Sequence, residues 1–293
     1  MSSALDGDAG DDLQPQIDGD AVLLILTSGA PIRAWATIAA QTVDEARLHV
    51  TDDGLRITAN DPANVVMVDY EFHAEGFKRY ELDGDKFVFG LDLDQFTSTI
   101  DWARKRGDGD PVSIDVFEDP TRMRVSVTRP DQGMKRVTEW FGIDPEGIRP
   151  EPEVPDLDLP NKADPQPRAL HEGIDVIDED IAWVTRDGQK LVIATTDGSH
   201  SLDGKQLVDD EPDVTDTVYF PNCAWSEDEG GDGASTLFSM DYLESVTAGV
   251  KQAKMDHVTV HWDEEFPVRF AFEQSDWGIS GQYMLAPRLQ SDD

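Results

Sequence analysis

The sequence predicts an α+β fold in which one unit of strands and helices occurs twice. In the first half, short apolar segments with the alternation of β-strands are interrupted by two segments with helical periodicity. The same order of strand, helix, strands, helix and strands returns in the second half. A proline-rich stretch between the halves is typical of a domain boundary. We therefore predict two similar α+β domains joined by a connector.

The connector is predicted over residues 144–167. Its prolines remove backbone donors and hold φ near the extended value, which excludes a helix interior or a central strand. Four residues give it an apolar side that a fully solvated linker would not need: Ile148, Val154, Leu157 and Leu159. We expect an extended strap in a surface groove. The predicted parts are a flexible acidic tail at 1–19, an N-terminal domain at 20–143, the connector, and a C-terminal domain at 168–290.

Local signals place the elements of the first half. A buried strand is predicted at Ala21–Leu26, and Ser28 and Pro31 indicate the start of an amphipathic helix. One face of this helix carries Ile32, Trp35, Ile38 and Ala39. A second helix, with Leu93, Phe96, Ile100 and Ala103 on one face, is predicted from Asp92 to Gly107. Strands are predicted at Arg47–Thr51, Leu55–Ala59, Val65–Phe72, Val112–Phe117, Arg122–Thr128 and Met134–Phe141.

Three matches between the halves support an internal repeat. The segment 50–54 is similar to 184–188, the helix start at 93–96 is similar to 240–243, and Arg124 and Arg269 occupy matching strands. The spacing between matches increases where residues 226–235 look like an inserted acidic loop. The shared order, more than any single match, indicates duplication.

Composition indicates a globular protein adapted to molar salt. The 293 residues carry a formal net charge of −37, and the acidic residues are spread along the chain instead of forming one tail. Concentrated salt shortens the Debye length to about 3 Å and damps the repulsion between such charges. Seven Trp and twelve Phe residues supply a core, which argues against a disordered acidic chain. No segment looks like a secretion signal or approaches membrane-spanning length.

The sequence offers little support for an enzyme. It contains no phosphate-binding glycine loop, nucleophile elbow or zinc-protease helix. His257 and His261 lie in a predicted strand, where their side chains would stand about 13 Å apart, so we expect no metal site there. Cys223, the single cysteine, excludes an intramolecular disulfide and fits a reducing cytoplasm. A hydrolase with clustered carboxylates is a weakly supported alternative, because carboxylates are abundant everywhere in this chain.

The scarce cations are more informative than the acids. Arg104, Lys105 and Arg106 end the second predicted helix, and Lys251 and Lys254 end its counterpart in the second half. Cations at helix C-termini complement the helix dipole, for about 0.3–1 kcal/mol each. Equivalent helices could also direct these cations at the phosphates of one polyanion. Charge alone leaves both interpretations open.

Several motifs resemble the archaeal sliding clamps of the PCNA family, in particular the haloarchaeal form. The motifs are Asp61-Pro-Ala-Asn-Val-Val-Met-Val-Asp69, residues 148–159, residues 237–243, Glu265-Phe-Pro-Val268 and Met284-Leu-Ala-Pro-Arg288. They occur in family order from about Asp20 to Asp292. The resemblance implies a two-domain DNA-clamp fold, with antiparallel sheets outside and four helices inside each subunit. Three such subunits would close around double-stranded DNA.

The resemblance also implies roles for named residues. The DNA-facing cations would be Arg33, Arg104, Lys105, Arg106, Lys251 and Lys254. A pocket for short peptides of DNA polymerase and other replication enzymes would be lined by Val65, Met67, Val154, Leu157, Leu159, Pro267, Met284, Ala286 and Pro287. Subunits would meet through the strand Met134–Phe141 of one copy and the segment Thr215–Phe220 of the next, with contacts from Met134, Val137, Trp140, Thr217, Val218 and Tyr219. The resemblance implies a clamp loader as a further partner, and no catalytic residue, cofactor or metal.

One predicted helix departs from the family pattern. The segment His171–Glu179, expected to be the first helix of the second domain, has four acids and no Lys or Arg, whereas a DNA-facing helix is normally basic. An alternative to the ring is therefore a monomeric adaptor or decoy that offers only the peptide pocket. Sizing in molar KCl would distinguish the two, because the adaptor would remain a 32.5 kDa species at every concentration.

Overall fold

The computed structural model describes residues 20–104, 107–118, 121–188, 190–195, 216–221 and 234–288. The predicted tail at 1–19, Lys105, Arg106, Cys223 and most of the predicted loop at 226–235 lie outside these residues. Within the described ranges the chain is an α+β structure with seventeen strands and four α-helices.

The order of elements repeats between the halves, as the sequence predicts. The first half contains β1 (Leu23–Ser28), α1 (Gly29–Ala40), β2 (Glu45–Thr51), β3 (Gly54–Asn60), β4 (Val66–His73), β5 (Arg79–Leu82), β6 (Phe87–Asp92), α2 (Leu93–Ile100), β7 (Pro111–Glu118), β8 (Thr121–Arg129) and β9 (Met134–Phe141). The second contains β10 (Asn161–Ala163), α3 (Pro167–Asp175), β11 (Ile181–Asp187), β12 (Lys190–Ala194), β13 (Thr217–Phe220), β14 (Thr236–Ser239), α4 (Met240–Gln252), β15 (His257–Trp262), β16 (Val268–Gln274) and β17 (Ile279–Leu285).

Three antiparallel sheets are built from these strands. A five-stranded sheet of the first half has the order β5-β1-β7-β8-β9, and a four-stranded sheet of the second half has the order β13-β12-β11-β14. Between them, an eight-stranded sheet with the order β10-β15-β16-β17-β4-β3-β2-β6 joins both halves. The joint is the β4–β17 ladder, which runs from Leu285 opposite Val66 to Ile279 opposite Phe72. The halves therefore share backbone hydrogen bonds as well as a core.

The four helices form a continuous layer on the core side of the sheets. Helix α1 packs against α2 of its own half and against α4 of the other half, and α4 packs against α3. Two buried tyrosines of the shared sheet fix α1 in this layer. The Tyr283 hydroxyl donates to the Ile38 carbonyl at 2.7 Å, and the Tyr70 hydroxyl donates to the Trp35 carbonyl at 2.9 Å. Carbonyls near the end of α1 thus gain partners from strands of both halves.

Helix α1 is more buried than its predicted amphipathic pattern suggests. Ile32, Trp35, Ile38 and Ala39 are fully buried as expected, but Ala36, which the pattern turns away from them, is fully buried as well. Only three residues of the helix, Arg33, Thr37 and Ala40, are half-buried. The reason is that α1 lies between two other helices, and its small residues allow close approach on both sides.

Two predicted helix bounds are wrong. Helix α2 ends at Ile100 and does not continue to Gly107. Arg33 donates to the Ile100 carbonyl at 3.2 Å, and Asp110 accepts the backbone N–H of Arg104 at 2.9 Å, so both partners of the next helical hydrogen bond are taken. Helix α3 covers Pro167–Asp175 and not His171–Glu179. Its true span includes one cation, Arg168, and excludes two of the four predicted acids.

Candidate functional site

The predicted pocket residues of the two halves meet at one end of the β4–β17 ladder. Met67 and Met284 are directly opposite each other, and the Ala286 N–H donates to the Val65 carbonyl at 2.9 Å. Pro267 precedes Val268, which pairs with Leu285 on the neighbouring strand. Val65, Pro267, Ala286 and Pro287 are half-buried, whereas Met67 and Met284 are 8% and 5% exposed. The shared sheet therefore brings six of the nine predicted residues together.

The connector crosses the face of the eight-stranded sheet that is opposite the helices. At its start, Arg47 of β2 donates to the carbonyls of Pro145 at 2.8 Å and Ile148 at 3.0 Å. His49, on the same face of β2, lies 2.5 Å from the Glu151 carboxylate. These side chains alternate with the buried Ala46, Leu48 and Val50, which face the core. At its end, the connector becomes β10 and pairs with β15, so residues 161–163 of the predicted connector belong to the sheet.

Between these anchors the connector has to be nearly straight. Strands β2 and β10 are separated by six interstrand spacings, or roughly 29 Å at about 4.8 Å each. The ten residues from Glu151 to Asn161 reach at most about 33–36 Å when fully extended. Ile148 and Leu159 are buried near the two ends, whereas Val154 and Leu157 in the middle are half-buried. The connector therefore runs along the sheet with buried apolar residues near both of its ends.

An exposed aromatic residue, Phe266, directly precedes the predicted pocket residue Pro267 and was not among the predicted pocket residues. Phe266 follows Glu265, whose φ of 62° turns the chain sharply between β15 and β16. The turn is fixed because the Thr236 hydroxyl donates to the Asp263 carbonyl at 2.7 Å and accepts from the Glu265 N–H at 3.0 Å. The Phe266 side chain remains 45% exposed immediately before Pro267. The Phe-Pro pair lies within a motif of the family resemblance, but the exposure of Phe266 is known only from the structure.

Two of the predicted DNA-facing cations are bound to the chain's own oxygen atoms. Arg33 forms an ion pair with Asp101 at 3.0 Å and donates to the carbonyls of Ile100, the last residue of α2, and Ala103. Its side chain is 16% exposed. Arg104 lies between Asp110 at 2.5 Å and Asp131 at 2.6 Å. Its hydrogen bonds hold the pKa of both carboxyl groups below the usual range, so both carboxylates remain charged and neutralise it.

Helix α4 offers the freer cations. Lys251 is half-buried. The pKa of His171 on the neighbouring helix α3 is lowered mainly by burial and, to a smaller extent, by the charge of Lys251. Lys254 is exposed and makes no ion pair with any residue that the structure describes. Lys254 directly follows Ala253, the C-cap of α4. The φ of Lys254 is 56°, a left-handed conformation that glycine adopts more easily. Lys254 and Arg33 border the same cleft between α1 and the end of α4.

The surface of helix α3 is less negatively charged than its predicted bounds implied. Arg168, which the predicted bounds omitted, is exposed and forms an ion pair with Glu172 at 2.7 Å. The pair lies one helical turn apart on the exposed surface, where ion pairs are weak, so a stronger anion could compete for Arg168. The helix surface is therefore mixed in charge instead of purely acidic.

Each half has one sheet whose edge strand, at the predicted subunit contact, pairs with no further strand among those that the structure describes. Strand β9 is the last strand of the five-stranded sheet, and β13 is the last strand of the four-stranded sheet. Apolar side chains protrude from both: Val137 is 52%, Phe141 69% and Tyr219 49% exposed. Met134, Thr217 and Val218 are exposed or half-buried on the same strands. Unpaired strand edges with exposed apolar residues favour pairing with another chain.

One predicted contact residue is placed differently. Trp140 is only 7% exposed, and its ring lies edge-on to Phe96 of α2, with the ring centres 6.4 Å apart. The correction follows from strand alternation, since Trp140 lies on the opposite face of β9 from Val137 and Phe141. The side chain supports the core behind the edge, and only its backbone belongs to the predicted contact.

His257 and His261 both lie in strand β15, as predicted. Burial, with a contribution from Arg269, lowers the pKa of His261 to about 4. The described part of the chain contains no group of three metal-ligating side chains. Among the described helices, none is long and apolar enough to cross a membrane.

Comparisons with known proteins point to one protein family. A family model described as the N-terminal domain of proliferating cell nuclear antigen matches residues 33–135. The DNA polymerase sliding clamp of Natronomonas pharaonis is 33% identical over 85% of this chain and 92% of its own length. That of Haloarcula marismortui is 31% identical over 91% of this chain and 98% of its own length.

Solved structures show the same fold. PCNA of A. fulgidus with the C-terminal region of FEN-1 bound has a TM-score of 0.73 at 25% identity, and the match covers 92% of this chain and all of that one. PCNA of Thermococcus kodakaraensis has a TM-score of 0.72 over 91% of this chain at 19% identity, which supports the fold alone. The level of identity to two haloarchaeal clamps over most of the sequence shows that this chain belongs to the PCNA family of DNA polymerase sliding clamps.

Proposed function

We propose that three copies of this chain close into a ring around duplex DNA and tether a DNA polymerase and other replication enzymes to it. The tether has no catalytic step of its own. The ring holds enzymes near DNA because leaving requires an interface to open, so retention does not depend on tight DNA contacts. A clamp loader would have to open the closed ring to admit DNA without ends.

The observation that carries this proposal is that β9 and β13 each have one edge that no strand of the described ranges covers. They belong to different sheets and to different halves of the chain. When β9 of one copy pairs with β13 of the next, an open assembly still has one uncovered β9 edge at one end and one uncovered β13 edge at the other. Only closure into a ring pairs these two edges. Closure removes all of these edges at once, which is how a soluble protein can carry exposed Val137, Phe141 and Tyr219 without aggregating.

The helix layer would line the hole and meet DNA through few charges. Lys251, Lys254 and Arg168 lie on helices α4 and α3 or at their ends, while Arg33 and Arg104 serve the chain's own structure. Contacts of this kind bind phosphates without selecting sequence. The pocket beneath the strap would bind short apolar and aromatic segments of enzymes. The similar A. fulgidus PCNA has been solved with the C-terminal region of FEN-1 bound, which supports a replication enzyme as partner.

The decisive experiment is the molar mass of the protein in molar KCl, by light scattering after size exclusion. The ring predicts a species of three times 32.5 kDa. Replacing Val137 with Asp at the β9 edge should yield the single 32.5 kDa subunit, because a charge would be buried between paired strands. Val88→Asp is the matched control, since Val88 is 38% exposed on β6 and outside the proposed contact. A wild-type mass of 32.5 kDa at every concentration would favour the monomeric adaptor.

A further inference from the structure

The loop that leads into β4 is organised by one buried carboxylate. Asp61 is 6% exposed, and its Oδ1 accepts the N–H groups of Val65 at 2.6 Å and Val66 at 2.7 Å. Its Oδ2 accepts the N–H of Ala63 at 3.0 Å. Three backbone donors in a tight loop thus share a single side chain. An ionised carboxylate has the acceptor capacity for all of them, which a neutral side chain of the same size lacks.

The same loop is tied to three other parts of the molecule. The Ala286 N–H, just after β17, donates to the Val65 carbonyl at 2.9 Å. Arg149 of the connector donates to the Pro62 carbonyl at 3.0 Å. The Tyr242 hydroxyl of α4 lies 3.5 Å from Asp61 Oδ2, at the long end of the hydrogen-bond range.

We propose that Asp61 is a positioning residue for the peptide pocket, an inference that rests on the proposed function of that pocket. Asp61 touches no partner in this scheme. It fixes the backbone of Val65 against the end of β17, and thereby sets the distance between the pocket walls on β4 and β17. Loss of its hydrogen bonds would leave N–H groups of Val65 and Val66 unpaired beside the pocket, and the loop would relax toward solvent to satisfy them.

A role in stability alone is the competing interpretation. A buried carboxylate with three backbone bonds would lower unfolding stability when removed, whatever the neighbouring surface does. The two roles differ in one observable. A purely structural residue leaves the peptide affinity of the folded ring unchanged, whereas a positioning residue changes it under conditions in which the protein is fully folded.

The test measures binding of a fluorescein-labelled peptide copied from the FEN-1 region in the A. fulgidus structure, by anisotropy on the full chain in molar KCl. Asp61→Ala, which removes every bond, should weaken the dissociation constant about tenfold, or about 1.4 kcal/mol. Asp61→Asn should weaken it less, about threefold, because its single amide oxygen can still accept from Val65 and Val66. This partial rescue by the isosteric variant is part of the prediction.

Two reference variants make the result decisive. Asp110→Asn changes an equally buried carboxylate that binds Arg104, so it should lower the melting temperature but leave the peptide affinity within twofold of wild type. Met284→Asp places a charge in the pocket and should abolish binding. If Asp61→Asn and Asp61→Ala bind the peptide like wild type while Met284→Asp does not, the positioning role is wrong and the pocket stands. If the wild-type ring binds no peptide, the proposed function of the pocket fails first.

Should Asp61→Ala not fold, the comparison of Asp61→Asn with Asp110→Asn decides the matter by itself. Equal affinities of these two variants would overturn the inference. A loss confined to Asp61→Asn, at equal or smaller loss of melting temperature, would support it.

Discussion

The contact between Gly249 of α4 and the hydroxyl of Tyr283 yields a sharp test of how the halves are joined. A Cβ atom at position 249 would lie 2.6 Å from the Tyr283 hydroxyl, 3.0 Å from Gln41 Cγ and 3.4 Å from Tyr283 Cζ. The first distance is too short for any stable packing, the second involves a flexible side chain, and the third is an ordinary contact. Gly249→Ala should therefore be harmful only while the hydroxyl is present.

The expected free energies follow from these distances. Tyr283→Phe removes the bond to the Ile38 carbonyl and leaves that group buried without its partner, for a loss of about 1–3 kcal/mol. Gly249→Ala forces α4 away from β17, and such overpacking costs about 1–3 kcal/mol, less up to about 1 kcal/mol gained from helix propensity. In the double variant the clash is absent and the propensity gain remains. The double variant should therefore be more stable than the sum of the single effects by about 1–3 kcal/mol.

The assay is equilibrium urea unfolding in molar KCl at one protein concentration, because assembly makes apparent stability concentration-dependent. Tyr70→Phe is the matched control. It loses a similar buried hydrogen bond, to the Trp35 carbonyl, but the three atoms nearest to a Cβ at Gly249 belong to other residues. It should add to Gly249→Ala without coupling. If the Tyr283 and Gly249 effects add to within about 0.5 kcal/mol, the proposed contact between α4 and β17 is not the one that limits packing.

Three further outcomes follow from the site. Lys254→Ala should reduce the salt dependence of DNA binding by about one phosphate contact in a titration of affinity against KCl, whereas Arg33→Ala should leave that slope unchanged and lower the melting temperature. Burial lowers the pKa of His261 to about 4, so the unfolded chain binds a proton at a higher pH than the folded protein does. The free energy of unfolding should therefore fall as the pH drops from about 6.5 toward 4, and His261→Gln should reduce that fall in melting curves recorded at several pH values. Phe266→Ala should weaken the FEN-1 peptide several-fold in the anisotropy assay, while Val88→Ala, at another exposed apolar residue, should not; equal effects would place Phe266 outside the pocket.

Local pattern predicted most strands of the first half within two residues, but it failed where distant groups decide the structure. The apolar periodicity of α2 continues to Ala103, and Ala103 is buried as that pattern requires. The helix nevertheless ends at Ile100, because Arg33 and Asp110 supply partners from elsewhere in the chain. Strand β6 was missed, and it contains Gly90, which pairs closely with Ile143. Arg33 and Ile143 lie too far along the chain from Ile100 and Gly90 for any local window to contain both partners.

For the pocket as well, the sequence indicated which residues belong together, and the structure shows why. Its residues were assigned through family resemblance, and the register of β4 against β17 supplies the physical reason that Met67 meets Met284. Strand alternation alone could have placed Trp140 on the core side of β9, since Val137 and Phe141 stand on the other face. Asp61 begins one of the family motifs, but only the structure shows that its carboxylate accepts three N–H groups of the loop.

The placement of the arginines bears on how a clamp of this composition could hold DNA. Each phosphate contact contributes a slope of about −0.9 in the dependence of log affinity on log salt, so a few lysines give little affinity at molar salt. Arg33 and Arg104, which would add to that affinity, are committed to carboxylates and carbonyls of the chain itself. Retention on DNA must then come from closure. A variant with an opened β9–β13 contact should bind linear DNA with nearly the affinity per subunit of wild type, yet fail to stay on circular DNA through gel filtration in molar KCl. Equal retention of the open variant and the closed ring would mean that charge, and not topology, keeps this protein on DNA.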